Sequence, residues 1–288
     1  MIFQQKSSYS KSKFFVTKKN NKFLIIKKPK KIDKREILSI EKQNNFKNYY
    51  INNYKITSAK ILDNKRNIFK KKKYLIEYFD GKSGEDILLQ GNKGEINILK
   101  KFFYNYFFKI NKNFNLKLRN LKSYKEKIKK LKRNKNFKKI KNSNDFFLYI
   151  NKILKKKIYT FSISDCHGDL TLSNLIVNFK KKEIILIDFL STYQENLIQD
   201  FSKLFQEFNL HWTARKYNKI DYLRSFIVYK SIIDNNFWKR VDPKLISSLK
   251  LEFTMTVLRI VPYVNINDKI TINWIENSLD KIKKFKIR

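Results

Sequence analysis

Two short apolar runs, Leu175–Val177 and Ile184–Ile187, lie on either side of the polar stretch FKKKE. Runs of this length across a lysine-rich connection fit an antiparallel hairpin. Each run is bounded by a side chain with oxygen donors: Asn174 precedes the first and Asp188 follows the second. The hairpin therefore delivers an amide and a carboxylate to the same place. Just upstream, CHGDLTLSN adds His167 and Asp169, and Asp200 follows in LIQDFSKLF. A chain that repeats polar donors so regularly around two strands is predicted to build a site there.

The chain before this block reads as β-β-α-β-β. KFFVTKK and NKFLIIKK meet at Asn20-Asn21, a junction that tolerates positive φ and closes a hairpin, and Pro29 stops the second strand. From Asp33, a possible N-cap, DKREILSIEKQNNFKNYY carries an incomplete helical period at Ile37, Ile40 and Phe46. KITSAKILD and YLIEYF read as further strands, the latter running into an Asp80-Gly81 turn, with a helix beginning near Gly84 or Glu85. Beyond it, GEINILKKFFYNYFFKINKNF, LKSYKEKIKKLKRN, NDFFLYINKILKK and LIQDFSKLFQEFNLHW suit helices. A small β-rich part over residues 1–81 and a larger, mainly helical part over 82–288 is the expected division, an α+β organisation.

The chemistry of the central block explains its residue types. His167, Asp169 and Asn174 stand in an H-x-D-L-x-x-x-N frame, the spacing of the protein-kinase catalytic loop. Phosphoryl transfer needs a carboxylate to accept or orient the proton of the attacking hydroxyl, and Asp169 suits it. It also needs hard oxygen ligands for Mg²⁺ against the nucleotide phosphates, which Asn174 and Asp188 can supply.

His167-Gly168-Asp169…Asn174, then Ile187-Asp188-Phe189 and Asp200-Phe201-Ser202, resemble the aminoglycoside phosphotransferase/choline kinase family, relatives of protein kinases. The matching motifs cover about residues 163 to 205; elsewhere the match is one of element order. The resemblance implies a bilobal protein-kinase-like fold with a small β-rich N-lobe and a larger helical C-lobe. It implies ATP or GTP with Mg²⁺, and a small hydroxylated acceptor. By the same resemblance the lysine that steadies the α/β-phosphates falls at Lys27, with Lys28 as the neighbouring register. Its acidic helix partner is expected at Glu41, with Glu36 as the alternative. Backbone groups around Glu77 to Phe79 would hold the base, His167 would orient the catalytic loop, and Asp200 would brace it.

Two departures from the family pattern stand out. No glycine precedes residue 81, so the stretch QKSSYSKS, expected to cover the nucleotide, lacks the usual glycines. DFL also stands where protein kinases have DFG. No G-K-[ST] phosphate loop occurs, which excludes a P-loop kinase.

Composition bounds the remaining readings. With 65 Lys and Arg against 25 Asp and Glu, the net charge of +40 invites an anionic partner. Abundant Lys, Asn, Ile and Phe beside only 5 Gly and 3 Pro instead mark an AT-rich coding sequence whose lysines solvate helix faces and loops. A non-catalytic basic module, or pseudokinase, binding nucleic acid or an anionic membrane surface is the alternative from another class. The single Cys166 excludes an intramolecular disulfide framework and two His leave little for a His/Cys metal centre, so a reducing, cytoplasmic setting is expected. Cys166 reads as a buried, inert thiol, and Ser164, His167 and Asp169 lie too close in sequence for a hydrolase triad. The start, MIFQQKSSYSKSKFF, has no signal-peptide core, and no uncharged run is long enough to span a bilayer.

The positive field disfavours a polycationic acceptor and favours a neutral or anionic one, such as a sugar or cell-surface polysaccharide precursor; choline or ethanolamine is the alternative. Arg259, a charge inside VLRIVPY, reads either as a paired structural arginine or as a substrate contact.

Overall fold

A computed structural model of the chain describes residues 3–7, 12–110, 115–118, 121–155, 159–163, 166–191, 195–265 and 267–286. The expected covering stretch QKSSYSKS, residues 5–12, has its middle, residues 8–11, outside the described residues. The chain divides into two compact units, Met1–Gly84 with Leu172–Thr192, and Glu85–Thr171 with Tyr193–Arg288.

In chain order the first unit begins with β1 (Phe3–Ser7), β2 (Lys13–Lys19) and β3 (Lys22–Lys28), followed by α1 (Lys34–Asn44). Next come β4 (Tyr49–Ile51), β5 (Tyr54–Ser58), α2 (Lys65–Lys71), β6 (Tyr74–Glu77) and β7 (Lys82–Ser83). The second unit continues with α3 (Gly84–Gln90), α4 (Lys93–Asn105), β8 (Asn115–Leu118), α5 (Lys122–Lys132), α6 (Ser143–Leu154) and β9 (Thr160–Ile163). The chain then returns to the first unit with β10 (Leu175–Asn178) and β11 (Glu183–Leu186). It closes in the second unit with α7 (Leu197–Phe208), α8 (Lys219–Ile232), α9 (Asn235–Lys239), α10 (Ile246–Leu258) and α11 (Lys269–Lys284). A β-rich N-terminal unit and a mainly helical C-terminal unit give the α+β organisation that the sequence predicts.

The N-terminal unit has two sheets, ordered β1-β2-β3-β6 and β4-β5-β11-β10-β7 among the described residues. Asn20 and Asn21 both take positive φ, 49° and 57°, which is what a two-residue turn between β2 and β3 requires. Asp33 caps α1, its side chain accepting from the Arg35 and Glu36 amides. The helix stops at Asn44, earlier than the apolar pattern implied, because Tyr49–Ile51 turns back at Asn52 (φ 54°) to pair with β5. Ile37 and Ile40 of α1 pack with Ile61, Ile68, Tyr74, Ile76 and Ile185 in the unit's core. The hairpin of β10 and β11 has the expected register, Leu175 opposite Leu186 and Val177 opposite Ile184.

β11 also pairs in parallel with β5, Ile184 beside Ile56 and Leu186 beside Ser58. That ladder places Leu172–Thr192 in the N-terminal unit, whereas the sequence division assigned it to residues 82–288. The boundary itself falls after Gly84 rather than after residue 81.

In the C-terminal unit the four expected helical stretches appear as α4, α5, α6 and α7. A five-residue π-helical turn, Tyr106–Ile110, extends α4. The pair β8–β9 was not anticipated. The core here is aromatic: Phe205 stacks on Phe253 at 3.9 Å, and Phe107 lies 4.3 Å from Phe201. Among the described residues no helix is long and apolar enough to cross a membrane.

Candidate active site

In the N-terminal unit, β3 alternates its side chains, so neighbouring lysines point to opposite faces. Lys27 is buried and faces the core side, while Lys28 is exposed with its ammonium over the Phe15 ring. Of the two lysines, Lys27 is the one buried and paired with carboxylates. Its Nζ lies 2.5 Å from Asp188 Oδ1 and 3.3 Å from Glu36 Oε1. Tyr74, across the β3–β6 ladder from Lys27, donates its hydroxyl to the same Glu36 Oε1 at 2.6 Å. Burial alone would depress the Lys27 pKa, but the charges of Asp188, Tyr74 and Glu36 outweigh it and hold the ammonium well above the ordinary lysine value.

Glu41, the expected partner of Lys27, is corrected here: it pairs with Lys65 at the start of α2. Five residues of helix rotate Glu41 well away from Glu36, so α1 cannot present both to β3. The first turn of α1 faces Lys27, and Ser39 and Gln43 farther along the helix face the segment after β11. Ser39 Oγ accepts from the Ser191 amide at 2.7 Å, and Gln43 Oε1 accepts from the Phe189 amide at 3.2 Å.

Asp188 sits where β11 ends, with φ 57°, in the left-handed region that Asp tolerates better than most residues. Its side chain is about one third exposed, against one tenth for Lys27. Asn174 ends a 3₁₀ turn, Leu172–Asn174, and is buried; its carbonyl accepts from the Ile187 amide at 3.1 Å. The hairpin thus places Asn174 and Asp188 at the same end of the β10–β11 ladder, as its sequence implies. One amide and one carboxylate oxygen are a donor set that suits Mg²⁺, an ion that keeps several waters and completes its shell with substrate phosphates. The described residues hold no cluster of three or more His, Cys, Asp or Glu side chains suited to a metal, which an ion so coordinated does not need.

Glu77 closes β6 opposite Leu24. Its amide donates to the Lys60 carbonyl at 3.0 Å and its carboxylate accepts from the Lys60 amide at 2.9 Å. Both contacts tie the end of β6 to the segment after β5. Phe79 is half-buried and packs against the unit's core.

In the C-terminal unit, Asp200 on α7 is fully buried and organises the loop around Asp169. Its Oδ2 accepts from the His167 amide at 2.7 Å and from the Tyr106 hydroxyl at 2.7 Å, and its Oδ1 accepts from the Gly168 amide at 2.7 Å. The Tyr106 hydroxyl also accepts from the His167 amide at 3.2 Å. Burial first, and then the Asp200 charge, raise Tyr106 well above the ordinary tyrosine pKa, so it stays a donor. Gly168 has φ 86°, where a side chain would be strained, which explains glycine between His167 and Asp169. His167 is fully buried and its Nδ1 accepts from the Asp169 amide at 3.2 Å, an orienting contact. Asp169 itself pairs with Lys203, Nζ to Oδ1 2.7 Å.

Tyr106 and Lys203 were missed in the sequence. Both lie far along the chain from the loop they touch, and only an interrupted apolar pattern, QDFSKLFQEF, marks Lys203. Cys166 is buried beside Glu195, Sγ to Oε2 3.2 Å. Arg259 pairs with the fully buried Glu252, which also accepts from the Tyr124 hydroxyl at 2.5 Å, and donates to Gln199 Oε1 at 3.1 Å. It is the structural arginine of the two readings.

No family model and no curated protein sequence matches this chain. Among solved structures it is similar to an ethanolamine kinase of Plasmodium vivax, with TM-score 0.49 and 17% identity, covering 97% of this chain and 81% of that one. A spectinomycin phosphotransferase, solved with ADP and spectinomycin, has TM-score 0.46 and 11% identity, covering 99% and 92%. The kinase domain of a maize sucrose-induced receptor kinase, bound to AMP-PNP, has TM-score 0.35 and 9% identity, covering 99% and 93%. Likeness at this level carries neither family nor substrate, and the chemistry rests on this chain's own residues.

Proposed function

We propose that the protein is a Mg²⁺-dependent phosphotransferase that moves the γ-phosphate of ATP or GTP onto a hydroxyl of a small acceptor. The observation that carries this reading is Lys27, buried on β3 and held between Glu36 of α1 and Asp188 beyond β11. A lysine so fixed is the part a phosphoryl-transfer site needs to steady nucleotide phosphates, and its helix carboxylate keeps it in place. Asn174 and Asp188 would hold Mg²⁺, which when bound neutralises charge on the phosphates. Asp169 accepts or orients the proton of the acceptor hydroxyl, its loop fixed by Asp200 and His167. Phe79, with the backbone after Glu77, would receive the base.

The acceptor is a small neutral or anionic hydroxyl compound, of which a sugar is the simplest case. The charge of +40 concentrates anions around the protein and repels polycations.

Thermal unfolding with ATP or GTP, with and without Mg²⁺, tests the reading on wild type and Asp188→Ala. Ligand near 100 times its Kd adds about 2.7 kcal/mol, a shift of several degrees. A shift that needs both Mg²⁺ and Asp188 supports the site. Absence of any shift, together with binding to nucleic acid that weakens steeply with salt, would instead make the chain a basic binding module.

A further inference from the structure

α7 carries a residue that its surroundings make expensive. Of the twelve residues Leu197–Phe208, every one except Lys203 is buried. Lys203 sits in the middle of that helix with its side chain about one fifth exposed. A long cationic side chain there must be desolvated over most of its length, and an apolar residue of similar volume would cost the fold nothing. In a chain with 65 Lys and Arg, most of them on solvated faces, a lysine held in this position calls for a reason.

The reason lies in what the ammonium reaches. Asp200 and Lys203 are one helical turn apart and share a face of α7. Asp200 takes the amides of His167 and Gly168, and Lys203 takes the carboxylate of the next residue, Asp169, at 2.7 Å. A single helix therefore fixes three consecutive loop residues, two through their backbone and the third through its side chain. His167 Nδ1 secures the Asp169 amide from the other side. The Lys203 contact adds a restraint on the χ angles of the Asp169 carboxylate that backbone bracing does not supply.

We propose that Lys203 is a positioning residue for phosphoryl transfer, holding the Asp169 carboxylate in the orientation from which it meets the acceptor hydroxyl. This rests on the phosphotransferase reading above. Because Lys203 acts through Asp169, its loss lowers turnover and leaves nucleotide affinity alone. Arginine, which keeps the charge and offers several donors, restores part of the rate. Methionine, which keeps the length and loses the charge, restores none.

The test needs no knowledge of the acceptor, since water can take its place. Mg²⁺-dependent ATP and GTP hydrolysis is measured as phosphate release for wild type, Lys203→Met, Lys203→Arg and Asp169→Asn, with unfolding midpoints for all four. The expected result is kcat down about 10- to 100-fold in Lys203→Met with KM for the nucleotide within about twofold, and a partial return in Lys203→Arg. Lys203→Met is expected to remain folded, because methionine fills the same space and the Asp169 carboxylate, 28% exposed, stays hydrated on losing its partner. Wild-type kcat in a folded Lys203→Met, or a change in KM alone, would overturn the role. An Asp169→Asn variant as active as wild type, or wild type with no nucleotide turnover at all, would bring down the phosphotransferase reading and this role with it.

Discussion

The Lys27 cluster of the N-terminal unit and the Asp169 loop of the C-terminal unit are both built from carboxylates and cations, yet they are held in different ways. Lys27, Glu36 and Asp188 meet by charge, side chain to side chain, from three elements, with Asp188 partly open to solvent. The loop at His167–Asp169 is instead held by a fully buried carboxylate that takes main-chain amides and a tyrosine hydroxyl. Charge contacts of the first kind can be exchanged for a phosphate or a metal when a ligand arrives. Buried hydrogen bonds of the second kind cannot be given up without breaking the local fold. The comparison assigns adaptability to the Lys27 cluster and rigidity to the Asp169 loop.

The comparison breaks most visibly at Asp200. Replacing it with Ala takes the carboxylate acceptor from the His167 and Gly168 amides and from the Tyr106 hydroxyl, and a loss of roughly 3–5 kcal/mol in unfolding free energy is expected from the urea midpoint. A fall under about 1 kcal/mol would show that the loop is not locked as described.

Glu207, buried on the same helix, sharpens the point through pH. Burial pushes its pKa up to about 7 from 4.5, although the Tyr229 and Thr213 hydrogen bonds oppose that shift. Because the folded state holds this proton more tightly, stability falls as pH rises from about 4.5 through 7 and then levels off, a change on the order of 3 kcal/mol. Glu207→Gln should flatten that slope. Buried His211, lowered to about 4 by desolvation and by Lys281 and Lys230, loses stability in the opposite direction as pH falls from 6.5. The difference between variant and wild type, followed by urea midpoints across pH 4 to 8, therefore isolates Glu207.

On the adaptable side, Lys27→Met strands the Glu36 and Asp188 carboxylates, a cost of roughly 1–3 kcal/mol that their partial exposure keeps below the Asp200 effect. The same change should abolish the nucleotide-dependent gain of about 2.7 kcal/mol at saturation. A variant that loses fold rather than ligand would reverse the contrast. The smallest effect separates the two candidate carboxylates. Glu36→Gln should weaken nucleotide binding about tenfold by titration calorimetry, roughly 1.4 kcal/mol, while Glu41→Gln should change it by less than about 0.5 kcal/mol.

What could be read in the sequence was local. Asn20-Asn21 closing a hairpin, Asp33 capping a helix, and the hairpin between Asn174 and Asp188 all depend on neighbours within a few residues. Asn52-Asn53 carries the same signal between β4 and β5, masked in the sequence by the helical period of the segment that runs on to Tyr50. What stayed hidden was long-range. Choosing Glu36 over Glu41 requires knowing that Tyr74 approaches the first turn of α1, and that Lys65 begins a helix where only a basic run was visible. Lys203 and Tyr106 likewise gain meaning only once α7 and the turn after α4 meet the loop.

The sheet order of the N-terminal unit also governs how the chain comes off the ribosome. β5 is made early, but its parallel neighbour β11 is made on the order of a hundred residues later, a wait of roughly 5–20 s at 5–20 residues per second. Until then the Ile56 edge has no permanent partner, and the first strands cannot complete their second sheet. Ile56, fully buried in the finished protein, spends that interval as a sticky edge on a nascent chain. Like charge on the abundant lysines keeps unfinished chains apart during that interval.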